Sequence, residues 1–131
     1  MEYQAVVMAA GRASRMTELT HRRPKCLLPI ANRPMIWYSL KKLEATGFEE
    51  AIVIVQEHFR NDVANIPQKY GLSIRLDLVT IPRNEEFGTA DSLRLIHDKI
   101  KVSWLCNLIR SYMEDCGNLM EIMNHNIFIR K

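Results

Sequence analysis

The residues best placed to do chemistry follow the first apolar run of the chain. Ala5–Val6–Val7–Met8 leads into three small residues, Ala9–Ala10–Gly11, and then into Arg12, Ser14 and Arg15. A buried strand that ends in a small-residue loop exposes backbone N–H groups, and cations beside it complete an anion site. Pro24–Lys25 adds another cation, held in an extended turn by the proline before it. Between residues 11 and 42 there are eight Lys or Arg and one acid, Glu18. That imbalance points to a phosphate-rich partner. The run His21–Arg22–Arg23–Pro24–Lys25 has no aromatic-rich recognition motif beside it, so phosphate or acidic-protein contact is the plainer reading than RNA. The four histidines, His21, His58, His97 and His125, share no metal-like spacing and are read as surface residues. Trp37 and Tyr38 read as core or subunit interface rather than as a stacking platform.

The elements that must hold these groups follow from periodicity. Gln4–Met8 and Ala51–Val55 are continuously apolar, as in strands buried on both faces. Residues 73–81 alternate, with apolar side chains at 74, 76 and 78, which predicts a third strand with one wetter face. Pro34 opens a predicted helix that runs over Met35–Ala45, with Ile36, Leu40 and Leu43 on one face and Gly47 as a left-handed stop. Asn61–Tyr70 reads as an irregular helical piece interrupted by Pro67. Thr89–Ile100 reads as a helix capped by Thr89, with Leu93, Ile96 and Ile100 inward. This order of strands and helices predicts a doubly wound α/β sheet, whose ligands sit outside the carboxyl ends of the strands. A length of 131 residues fits one small domain. The three cysteines (Cys26, Cys106, Cys116) form no CxxC, which argues against a zinc site or a disulfide framework and for a reducing compartment, the cytosol. No apolar run approaches the length that crosses a bilayer.

The ordered blocks G-x-x-S-R-M, L-T, P-K-x-L-L-P-I and N-x-P, together with F-G-T-A at Phe87–Ala90, resemble the signature of sugar-1-phosphate nucleotidyltransferases. Within that superfamily the wording is most similar to the gamma-type subunits of the translation initiation factor 2B complex. The resemblance implies that Gly11, Arg15 and Lys25 descend from residues that surround a triphosphate, and that Gly88 and Thr89 lie close to the nucleoside. It also implies partners: the other initiation factor 2B subunits, epsilon especially, and initiation factor 2. No membrane and no sequence-specific nucleic acid are among them. The role it implies is support of guanine-nucleotide exchange by a structural and regulatory subunit. The alternative is an active transferase that makes GDP- or UDP-sugars.

Three departures from the pattern shape the expectation. The family's second loop glycine is Ala13, whose Cβ can crowd an approaching phosphate. A glutamine that often precedes the G-T-A block is Arg83, which offers donors only. The family holds Mg²⁺ with an aspartate at the end of the next strand, whereas the only aspartate after Lys101 is Asp115. No catalytic residue, metal or other cofactor is therefore expected, only weak nucleotide binding at a vestigial site. The resemblance extends to about Lys101. Residues 1–101 are read as an incomplete nucleotidyltransferase-like domain, and residues 102–131 as an unrelated tail that replaces the ancestral segment. In that tail Trp104, Leu105, Leu108, Ile109, Tyr112, Met113 and Cys116 recur at four-residue steps, and Leu119–Met123 continues the face, which predicts a helix.

Overall fold

The computed structural model describes residues 3–11, 22–82, 88–101, 106–108 and 126–130. Strand β1, Tyr3–Met8, is followed by a 3-10 turn at Lys25–Leu27 and by a small hairpin of β2, Pro29–Ile30, and β3, Arg33–Pro34. Helix α1 covers Met35–Ala45 and leads to β4, Glu50–Gln56. Two short helices, α2 at Arg60–Ala64 and α3 at Ile66–Tyr70, precede β5, Arg75–Ile81. Helix α4 is Thr89–Leu95, and a 3-10 turn at His97–Lys99 follows it. The last described strands are β6, Cys106–Leu108, and β7, Asn126–Arg130.

The main sheet has the order β5–β4–β1–β7–β6. β1, β4 and β5 are parallel, with Val7 beside Val53 and Val53 beside Leu78. The alternation of a strand sends neighbouring side chains to opposite faces, and here it builds two cores. Ala5, Val7, Ala9, Ala51, Val53 and Val55 meet Ile36, Leu40 and Leu43 of α1, Val63 of α2 and Ile66 of α3. Val6, Ile52, Ile54 and Ile81 meet Ile96, with Leu93 and Ile100 packed against them. The connections from β1 to β4 and from β4 to β5 put their helices on the first face, and α4 covers the second. The winding therefore reverses at β1, and such a reversal opens a crevice at the carboxyl ends of the strands.

Before the tail the predicted elements differ from the observed ones in three places, whereas Gly47 stops α1 in a left-handed conformation as predicted. Pro34 is not the first residue of α1 but its N-cap, with ψ at 145°, as an extended residue before a helix. α1 ends in a Schellman pair: Phe48 N–H reaches Leu43 O at 3.1 Å and Gly47 N–H reaches Glu44 O at 3.0 Å, with Gly47 at φ +90°. The helix predicted to run to Ile100 stops at Leu95, although Ile96 is fully buried as expected. Its cap is Gly88 rather than Thr89: Asp91 accepts the Gly88 N–H at 3.2 Å.

The largest correction concerns the tail. Cys106–Leu108, inside the stretch predicted to be helical, is a strand, and it pairs with β7. β7 in turn lies antiparallel to β1, with Ala5 beside Phe128 and Val6 beside Ile127. The described tail residues are thus strands of the main sheet. Their pairing with β1 satisfies backbone groups along a whole edge, a gain that a four-residue pattern of side chains does not register. The helix predicted at 119–123 lies outside the described residues.

Candidate functional site

Gly11 stands just past the carboxyl end of β1, at the reversal of the winding. The Ala9 N–H still donates to Ile54 O at 2.8 Å and extends the parallel ladder by one residue. Beyond it the chain leaves the sheet, and Gly11 is exposed. A Cβ built on Gly11 meets nothing within 4 Å, so the backbone there is open to approach. The loop is tied from one side by Gln56, the last residue of β4, whose Nε2 donates to Ala10 O at 3.4 Å. Sequence reading passed over Gln56. Its signal is a lone amide directly after five apolar residues, at the strand end where ligands gather.

Lys25 begins the 3-10 turn and is half-buried between Pro24 and Cys26, both buried. The turn closes with Leu27 N–H on Pro24 O at 3.0 Å and Leu28 N–H on Lys25 O at 3.1 Å. Cys26 belongs to the same core cluster as Ala9 and Ile36, which fixes the Lys25 backbone relative to β1 and α1. Burial pushes the Cys26 thiol up to about 12, against a smaller opposing effect of a backbone hydrogen bond. The thiol stays protonated near neutral pH and packs as a small apolar group, not as a nucleophile. Arg22 and Arg23 are exposed just before this turn.

Gly88 follows β5 in the chain and opens α4. Its N–H is already committed to Asp91, whose other oxygen accepts from Arg94 at 3.1 Å. A carboxylate at this helix start occupies the place where a phosphate would sit, and repels one. Thr89 is the first helical residue. Ala9 and Cys26, close neighbours of Gly11 and Lys25 in the chain, belong to one core cluster, while Gly88 and Thr89 open a self-capped helix whose Leu93 packs in the other. Arg12, Ala13, Arg15 and Arg83 lie outside the described residues.

Among the described residues, no three His, Cys, Asp or Glu side chains converge as ligands for a metal ion. Among the described residues no helix is long and apolar enough to cross a membrane.

The model of the nucleotidyl transferase family matches residues 4–111. The chain belongs to that family. The match passes Lys101, where the sequence alone placed the end of the resemblance. The chain is 33% identical over 105 residues to translation initiation factor eIF2B subunit gamma of Caenorhabditis elegans, covering 76% of this chain and 25% of that protein. It is also 33% identical over 95 residues to CMP-5'-(3-aminopropyl)phosphonate synthase of Streptomyces rubellomurinus, covering 72% of this chain and 15% of that one. Among solved structures, a putative glucose-1-phosphate thymidylyltransferase from Bacillus anthracis superposes with a TM-score of 0.59 at 25% identity, over 73% of this chain and 39% of that one. The chain thus spans a quarter or less of these two curated relatives. These likenesses bear out the Rossmann-like nucleotidyltransferase fold expected from sequence.

Proposed function

We propose that this chain acts as the nucleotidyltransferase-like part of a gamma-type subunit of the initiation factor 2B complex. In the cytosol it would support guanine-nucleotide exchange on initiation factor 2 by contact with the other subunits, epsilon above all. The observation that carries this reading is the 33% identity to the nematode gamma subunit over 105 residues. The chemistry of the site supports it. Asp91 takes the Gly88 N–H, a donor that a phosphate would otherwise meet at the start of α4. Gly11, Arg15 and Lys25 then form a residual anion site, with weak, salt-sensitive nucleotide binding and no turnover. The test is co-purification of the tagged chain from cytosol, with the epsilon subunit expected in the eluate. Its absence there, under conditions that retain a full-length gamma subunit, overturns the reading.

A second reading, an active nucleotidyltransferase, is favoured by one observation: the backbone at Gly11 remains open to a phosphate. The bacterial synthase, equally similar in sequence, supports it too. Incubation with Mg²⁺, GTP or UTP and hexose-1-phosphates separates the two. The subunit reading expects no pyrophosphate above a blank, and turnover that Lys25→Ala abolishes selects the enzyme. Nucleotide titration at low salt examines the residual site itself, where Arg15→Ala or Lys25→Ala should each weaken binding.

A further inference from the structure

Beyond the phosphate loop, the chain builds a second cationic feature that neither reading uses. At the tip of the β2–β3 hairpin Ala31 and Asn32 have φ of 47° and 64°, both left-handed. Two successive left-handed residues make the tight turn whose twist suits a two-residue hairpin, and a non-glycine residue in the first position bears strain. The hairpin is tied down from α1, because the Tyr38 hydroxyl donates to Ile30 O at 2.7 Å. This places exposed Arg33 between two rings. Its guanidinium carbon lies 5.2 Å from the centroid of Trp37 and 5.0 Å from that of Tyr70. On Tyr70 a second cation, the Lys69 ammonium, lies 5.4 Å from the centroid. Trp37 and Tyr38 are packed edge to face at 5.0 Å. The Trp37 indole N–H is buried without an acceptor among the described residues, so the ring is held for its packing rather than for its polar atom.

An arginine stacked on rings has lost much of its side-chain freedom in advance. Its faces are covered and its N–H edge is free to donate in a plane. Among the described residues no carboxylate pairs with Arg33 or Lys69, whereas Lys41, Arg75, Arg94 and Lys99 each meet one. Tryptophan, tyrosine and arginine together are the residue types that dominate protein interfaces.

We propose that the Trp37–Arg33–Tyr70–Lys69 ladder is a docking surface for an acidic segment of a partner protein. A carboxylate of that segment takes the planar edge of Arg33, and a second one the Lys69 ammonium. Single-stranded nucleic acid is disfavoured as the occupant, because base stacking requires a bare aromatic face and the chain's own cations already cover these rings. The surface stands apart from nucleotide binding and holds whether or not the chain turns over a nucleotide.

The test is a binding titration of the full chain with a fluorescein-labelled, glutamate-rich peptide, repeated with a labelled oligouridylate of equal charge. Arg33→Glu should weaken peptide binding about tenfold or more, and Lys69→Glu by less. Arg33→Lys keeps the charge but not the plane, and should recover only part of the loss. Arg22→Glu makes the same charge change in the basic run before Lys25, and should matter less than Arg33→Glu. Circular dichroism checks that each variant is folded, and Lys69→Glu with Arg33→Lys carry the test if Arg33→Glu is not. Equal losses in Arg22→Glu and Arg33→Glu, full recovery by Arg33→Lys, tighter binding of the oligouridylate, or no peptide binding would each overturn the proposal.

Discussion

The two faces of the sheet solve the same packing problem in opposite ways. On the face covered by α1, α2 and α3, β1 and β4 contribute small side chains, Ala5, Val7, Ala9, Ala51, Val53 and Val55, and larger ones come from the strands only at β5, with Leu76 and Leu78. The bulk comes from the helices, through Ile36, Leu40, Leu43 and Ile66. On the other face the cover among the described residues is α4 and the turn after it, and the strands supply bulk themselves through Ile52, Ile54 and Ile81. The sum of volumes across each interface has to fill the space, so the strand's share grows as the helical cover shrinks. One sequence of alternating residues thereby encodes how much helix lies on each side.

This contrast is open to direct attack, and the largest effect is expected where the cover is thickest. Leu40 is wholly buried on the inner face of α1, and Leu40→Ala should cost about 3 kcal/mol by urea denaturation, since neighbours from three helices cannot collapse into the gap. Ile96 is equally buried under the thin cover, and Ile96→Ala should cost about 2 kcal/mol because α4 is free to settle. Hydrogen exchange should show that loss concentrated in residues 88–101, with α1 unchanged. Equal costs, or loss of protection throughout, would mean that the two faces are one cooperative core.

A third prediction uses Cys26, on the thick face, as a probe of burial. Folding raises its pKa from 9.0 to about 12, so the folded state keeps a proton that the unfolded state gives up. The unfolded chain binds fewer protons there, and stability falls as pH rises above about 9. Relative to Cys26→Ala, the native protein should lose about 1.4 kcal/mol per pH unit over that window and nothing below it. Parallel urea melts of both proteins across the alkaline range measure the difference. The smallest effect belongs to the thin face's exposed clasp, where Lys99 Nζ meets both Asp77 oxygens at 2.8 and 2.7 Å. Lys99→Ala should change stability by no more than about 0.5 to 1 kcal/mol, and less at high salt.

The parallel part of the fold was legible because its signals are local. A strand covered on both faces has to be apolar throughout, as 51–55 is, and a helix on a thick core has to carry a stripe, as Ile36, Leu40 and Leu43 do. The early end of α4 was not legible. No glycine or proline marks it, and the turn at 97–99 is stabilised from afar, where the Gln4 amide donates to Lys99 O at 2.8 Å and accepts from Lys101 N–H at 3.2 Å. Of the candidate site, Gly11 lies just past the carboxyl end of β1, where an apolar run giving way to small residues announces it, and Lys25 opens a 3-10 turn after Pro24. The Asp91 carboxylate that takes the Gly88 N–H was overlooked, although an acid three residues after a cap is itself a helix-start signal. The tail misled for a related reason. Four-residue recurrence of apolar side chains describes a helix face only if no strand edge competes for the backbone, and β1 offers such an edge.

The pairing of β1 with β7 also has a consequence in time. β1 is made early, yet its neighbour on that side is residues 126–130. Until they emerge, β1 has β4 on one flank and unpaired amides and carbonyls on the other, a ready template for any passing extended chain. The contact that closes this flank spans nearly the whole sequence, so its loop-closure entropy is paid late. A nascent chain carrying this sequence is thus adhesive on that flank until residues 126–130 emerge, and until then holding it apart from its neighbours falls to chaperones rather than to its own fold.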